Sequence, residues 1–112
     1  METDSLLRHI TDAAESFRAV DIKVLKVTDV CDFADYLVIM SGTSTTHVQS
    51  IAEEIHIKCK KGGRTALHRE GLVGGEWVLL DFGEIITHVF HPEKRAYYNL
   101  EELWGAAEAL PQ

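Results

Sequence analysis

The run Tyr36-Leu37-Val38-Ile39-Met40 is apolar at every position. Side chains alternate between the two faces of a strand, so this run has no face to show to water. It belongs in the middle of a sheet, with a packed layer on either side. Ser41-Gly42-Thr43-Ser44-Thr45 ends the run and opens a helix. There Thr46-His47-Val48-Gln49 fits a capping box, in which the Thr hydroxyl and the Gln amide satisfy orphan backbone donors reciprocally. Val48, Ile51, Ala52, Ile55 and Cys59 form one apolar stripe. Lys58, Lys60 and Lys61 complement the carboxyl end of the helix dipole, and Gly62-Gly63 supplies a left-handed stop.

The rest of the chain is read outward from this centre. Ser5 to Ala19 is helical, with Leu6, Ile10, Ala13 and Phe17 at helical spacing, Leu7 and Ala14 widening the stripe, and Asp4 as the cap. Ile22 to Val27 is a β-branched strand, joined to the central run by a polar turn region, Thr28 to Ala34. A strand near Thr65-Ala66-Leu67-His68 completes a crossover unit with the central strand and its helix. Beyond the Gly71–Gly75 loop lie two strands, Glu76 to Phe82 and Ile85 to His91, joined at Gly83-Glu84 by a two-residue turn with glycine first. Pro92 ends the last strand, and Leu100, Leu103 and Trp104 suggest a short terminal helix. The expected class is α/β (α+β): a small mixed sheet with packed helices, in one domain spanning residues 1–112.

Charge and cysteine usage narrow the function. Lysine and arginine number 11 against 18 acidic residues, a net charge of −7, which disfavours a broad phosphate-backbone binder. Cys31 and Cys59 match no disulfide framework and no CxxC metal pattern, so they read as reduced thiols of a cytoplasmic protein. The amino terminus lacks the basic-then-apolar layout of a signal peptide, and no apolar run approaches the ~20 residues of a membrane span.

Candidate catalytic motifs are weak. Ser41-Gly42-Thr43-Ser44 stands where helix-start amides could hold a phosphate, but no GxxxxGK[ST] exists. A Gly-Ser pair before a helix also occurs in nucleotidyltransferases, whose metal chemistry needs clustered carboxylates. Here Asp81 stands alone, without a second carboxylate two residues away. Asp81-Phe82-Gly83 spells the kinase triplet without the other kinase parts, and Asp29, Asp32 and Asp35 lack calcium-loop spacing. The six histidines fall into no ligand spacing, and no G-x-S-x-G elbow presents a serine. No catalytic residue, cofactor or metal is expected.

The final hairpin carries the sharper signal. A two-residue turn sets Phe82 opposite Ile85, Asp81 opposite Ile86, Leu79 opposite His88 and Trp77 opposite Phe90. One face then holds Val78, Leu80, Phe82, Ile85, Thr87 and Val89, fit to pack on helices. The other holds Trp77, Leu79, Asp81, Ile86, His88 and Phe90. Aromatic rings mixed with a carboxylate and an imidazole suit a docking surface, centred on Trp77, Leu79, Asp81, His88 and Phe90. The plainer alternative is that the carboxyl-terminal segment, with Tyr97, Tyr98 and Trp104, covers this face.

Asp32-Phe33-Ala34-Asp35-Tyr36, Ser41-Gly42-Thr43-Ser44, His47-Val48-Gln49, Glu70-Gly71, Trp77 through Gly83, His88-Val89-Phe90-His91-Pro92 and Tyr98 through Trp104 together resemble the ribosomal silencing factor family (Iojap, RsfS). The resemblance runs from about Leu6 to Trp104. It implies a nucleotidyltransferase-like fold without the enzyme's carboxylate set. It further implies binding to the large ribosomal subunit through its protein fourteen, which blocks joining of the small subunit and represses translation when nutrients are limiting. The expectation is an adaptor acting by steric exclusion, not an enzyme. Its acidic charge suits a basic ribosomal protein and would repel neighbouring RNA phosphates. A large-subunit assembly factor and a nucleotidyl-transferring enzyme using Ser41, Ser44 and Asp81 are the rivals. Neither DNA nor a membrane is an expected partner. The resemblance leaves room for a homodimer, though no residue demands one.

Overall fold

A computed structural model describes residues 1–110. The elements run α1 (Thr3–Ser16), β1 (Val20–Lys26), β2 (Tyr36–Ser41), α2 (Thr45–Lys61), β3 (His68–Glu70), β4 (Trp77–Asp81), β5 (Ile85–Phe90), α3 (Pro92–Tyr98), α4 (Leu100–Leu103) and β6 (Glu108–Leu110). The strands form one mixed sheet in the order β3-β4-β5-β2-β1-β6, with β2 and β5 parallel and every other pair antiparallel. β2 lies inside the sheet, as an all-apolar strand must, and all of it beyond Tyr36 is buried.

Each face of the sheet has its own core. On one, Leu6, Ile10, Ala13 and Ala14 of α1 and Val48, Ile51, Ala52, Ile55 and Cys59 of α2 meet Val38, Met40, Val78, Leu80, Phe82, Ile85 and Val89. The hairpin's aliphatic parity therefore faces the helices, in the register read from the sequence: Trp77 pairs with Phe90, Leu79 with His88 and Asp81 with Ile86. Gly83, at φ 97°, takes the left-handed first position of the tight turn. On the other face Leu25, Val27, Ala34, Leu37, Ile39 and Phe90 lie under Cys31, Leu100, Trp104 and Ala107. Full burial of each large apolar side chain contributes about 1.5–3 kcal/mol.

Several local expectations change. The amino-terminal cap of α2 is Ser44, whose Oγ accepts from His47 N at 3.1 Å, so no box forms between Thr46 and Gln49. The Gln49 amide instead donates to Leu72 O and Val73 O, tying the glycine-rich loop to the helix. The far end of α2 is a Schellman motif: Arg64 N donates to Cys59 O and Gly63 N to Lys60 O, with Gly63 at φ 98°. Only Gly63 is left-handed; Gly62 has φ −83°. α1 begins at Thr3 behind Glu2, which makes no side-chain cap, and ends at Ser16 because Arg18 turns to φ 59°.

Two topological points differ as well. The expected crossover does not land beside β2, whose neighbours are β5 and β1. The chain leaving α2 instead takes the far edge as β3, three residues long, wholly exposed and displaced towards Glu70 from the expected Thr65–His68. Pro92 ends the last strand but also opens a helix, α3, where its fixed φ and missing N–H suit the first turn. α4 matches the terminal helix, while β6 is an added edge strand on β1.

The cap correction has a direct test. Ser44→Ala should lower unfolding free energy by about 1 kcal/mol in urea denaturation. Thr46→Ala should stay within about 0.5 kcal/mol of the parent.

Candidate docking surface

Trp77, Leu79, Asp81, His88 and Phe90 do share one sheet face, but at different depths. Phe90 is fully buried and His88 is 7% exposed, whereas Trp77, Leu79 and Asp81 are half-buried. The rings form a ladder rising out of the second core. Phe90 stacks under Trp77 at 5.0 Å between centroids, Tyr98 lies on Trp77 at 4.6 Å, and Tyr97 meets Tyr98 edge-on at 5.0 Å. Tyr97 is 78% exposed. Beside the indole, Glu70, Gly71, Trp77 and Leu79 line a depression of about 390 Å³. Gly71 shapes its rim: it has φ 83°, and a Cβ there would come within 1.9 Å of Trp77 O.

The carboxyl-terminal segment thus covers this face in part. Trp104 closes the portion over β1 and β2, and Tyr98 reaches only as far as Trp77. Leu79, Asp81 and Ile86 remain at the surface over β4 and β5. His88 and Phe90 support this patch from beneath, where the sequence reading set them at its surface.

Two supporting groups set the geometry. The indole Nε1–H of Trp77 donates to His88 Nδ1 at 2.9 Å, which requires a neutral imidazole with its proton on Nε2. Burial pushes the His88 pKa down to about 4, in keeping with that tautomer. Asp81 is more than a surface charge: its Oδ1 accepts from Gly83 N at 2.8 Å and helps form the hairpin turn.

Arg95 is a residue that the sequence reading passed over. It is the one buried residue of α3, so that helix is held over the sheet by a charged group rather than an apolar stripe. Its Nη1 donates to Ser41 Oγ at 3.0 Å and its Nε to Glu101 Oε1 at 2.9 Å, while Nη2 lies 3.4 Å from Asp21 Oδ2. A guanidinium buried with these partners fixes α3, and with it the Tyr98 ring on Trp77. The sequence offers two cations in the short Pro92–Tyr98 stretch, Lys94 and Arg95, and nothing local to it singles out Arg95.

The rival phosphate cradle is already occupied by the chain's own groups. Thr43 N donates to His47 Nδ1 at 2.8 Å, Gly42 N to Phe90 O at 2.9 Å and His47 N to the Ser44 hydroxyl. Ser41 serves Arg95. Among the described residues no three His, Cys, Asp or Glu side chains group as metal ligands.

A mixed sheet with packed helices and a partly uncovered aromatic face defines an α/β domain. The chain belongs to the ribosomal silencing factor family: the model described as "Ribosomal silencing factor during starvation" matches residues 1–112. A Bacillus subtilis protein, ribosomal silencing factor RsfS, is 40% identical over 96% of this chain and 91% of its own length. A mouse protein named for mitochondrial assembly of the ribosomal large subunit is 34% identical over 84% of this chain and 47% of its own. A Chromobacterium violaceum crystal structure superposes with a TM-score of 0.91 at 31% identity, covering 94% of this chain and 88% of that one.

The buried imidazole makes stability depend on pH. The unfolded chain takes up the His88 proton near 6.5 and the folded chain only near 4, so stability is full above 6.5 and falls as pH drops through that window. The loss should approach about 3 kcal/mol. Urea denaturation at stepped pH should show a shallower decline in His88→Gln, which has no proton to take up there.

Proposed function

We propose that this chain binds the large ribosomal subunit through its protein fourteen and, seated there, keeps the small subunit from joining. Family membership supports the ribosome as partner. The observation that carries the mode of action is the half-buried patch of Trp77, Leu79, Asp81 and Ile86, held on the sheet beside the exposed Tyr97 and Tyr98. An apolar anchor with a polar neighbour on a rigid element is how protein interfaces concentrate their affinity. Exclusion needs no chemistry beyond that affinity and bulk, and the described residues measure 34 × 33 × 24 Å. The excess of acidic side chains favours a basic ribosomal protein.

The test is sedimentation of the protein with separated subunits, paired with a subunit-joining assay. The protein should pellet with large subunits and reduce joining in proportion to occupancy. Trp77→Ala should weaken binding roughly thirtyfold, the 2 kcal/mol of a truncated aromatic anchor. Because Trp77 also packs on Phe90 and Tyr98, Leu79→Ala and Asp81→Asn are the cleaner probes. The latter keeps the oxygen that accepts from Gly83. Both should bind weakly while melting close to the parent. Normal binding by all three variants would remove this face as the docking site, and undisturbed joining at full occupancy would end the exclusion mechanism.

A second reading, assistance in large-subunit assembly, is favoured by the name of the mouse relative. It uses the same surface and differs in timing, so preference for precursor over mature large subunits would select it.

We infer further that no catalysis accompanies binding. Ser41, Ser44, Thr43 and His47 are engaged in structural hydrogen bonds, and Asp81 holds a turn. Incubation with magnesium and each labelled nucleoside triphosphate should give neither transfer nor hydrolysis. Turnover abolished by Asp81→Asn would reverse this reading.

A further inference from the structure

Residues 55–69 carry five of the chain's 11 lysines and arginines and none of its 18 acidic residues. In a chain of net charge −7, the positive charge is therefore segregated rather than interspersed. The fold keeps it together. Lys58, Lys60 and Lys61 close α2, the Schellman turn reverses the chain, and Arg69 follows on β3 at the free edge of the sheet. His56 lies in the field of both Arg69 and Lys60, which, after burial, hold its pKa below the ordinary value, while Glu53 acts in the opposite sense. Arg69 pairs with Leu80, which packs against α2, so helix and edge strand turn this charge to the same side of the sheet.

Most of this charge has no internal partner. Arg64 is committed to Glu84 through a two-pronged ion pair that ties the end of α2 to the hairpin turn. Glu54 stands one helical turn before Lys58 and offsets it in part. Lys60, Lys61 and Arg69 are exposed and make no ion pair among the described residues. Complementing the helix dipole accounts for one or two lysines but not for Arg69 on β3. Guarding an open sheet edge accounts for Arg69 but not for the lysines. Neither role calls for an acid-free stretch of this length.

We propose that this basic edge, centred on Lys60, Lys61 and Arg69, binds the phosphate backbone of RNA. It extends the docking reading above, because β3 borders β4, and Glu70 and Gly71 line the depression beside Trp77. Because Arg69 pairs with Leu80, the basic edge lies on the helix side of β3, next to the β4–β5 face rather than within it. The net acidity that repels phosphate over the rest of the surface then confines RNA contact to this edge and sets the orientation of docking.

The test uses the full chain and a labelled RNA duplex of about 20 base pairs, followed by fluorescence anisotropy. With about three phosphates neutralised, affinity should fall roughly 40-fold between 50 and 200 mM salt. Lys60→Gln/Lys61→Gln/Arg69→Gln should abolish duplex binding over the same concentrations while melting with the parent. It should also reduce the salt slope of large-subunit binding by about 2.7. Leu79→Ala should bind the duplex normally, so loss of subunit binding in that variant alone concerns the docking face and leaves the edge intact. Absence of duplex binding by the parent chain, or an unchanged salt slope in the triple variant, overturns the proposal. So does competition by poly-glutamate matching that of RNA, which would assign the edge to an acidic polypeptide.

Discussion

A strand that is apolar on both faces imposes a demand that most of this structure serves. β2 cannot be half-solvated, so each side of the sheet around it has to be roofed. The two long amphipathic helices supply one roof by ordinary hydrophobic burial, with Leu6, Ile10, Val48, Ile51 and Ile55 all at 0% exposure. The second roof is made from short pieces, α3, α4 and the segment running into β6, none of which has a continuous apolar stripe. Trp104 and Leu100 cover Leu25, Val27, Leu37 and Ile39, and there the apolar cover stops.

Where it stops, charge takes over the work of positioning. Arg95 anchors α3 through Ser41, Glu101 and Asp21, and this brings Tyr98 down on Trp77. Of these charged groups only the guanidinium is buried, so losing a partner would leave its charge less compensated in a low-dielectric setting. The result is an aromatic ladder stiff at its base, where Phe90 and His88 are locked, and open at its top. The proposed docking patch, built this way, would need little reordering when a partner arrives, which lowers the entropic cost of docking. The Arg64–Glu84 pair plays a similar part across the molecule, joining the end of α2 to the turn of the same hairpin.

Much of this was legible in the residues. The interior position of β2, the two helical stripes and the pairing of Trp77 with Phe90 follow from side-chain periodicity and from a two-residue turn, both short-range and strictly geometric. The capping of α2 was misread by two residues because several hydroxyls, Ser44, Thr45 and Thr46, compete for one role. Only the path of the chain entering the helix selects Ser44. The five candidate residues fall on one face of the hairpin, as their parity requires, since parity is a property of the strand. Their depth was not legible, because it depends on what a segment distant in sequence lays over them.

What the sequence determined by itself, then, is the set of elements with strong local period, the face each side chain takes and the uneven distribution of charge. These depend on neighbours within one turn or one hairpin. Tertiary structure alone decided that β3 sits at the far edge rather than beside β2. It also decided that Arg95 anchors α3, that His88 and Phe90 are buried, and that Leu79, Asp81 and Ile86 stay open. Each of those outcomes rests on competition among segments far apart in the chain for one strand edge or one sheet face. Which segment occupies it depends on the packing of all of them together.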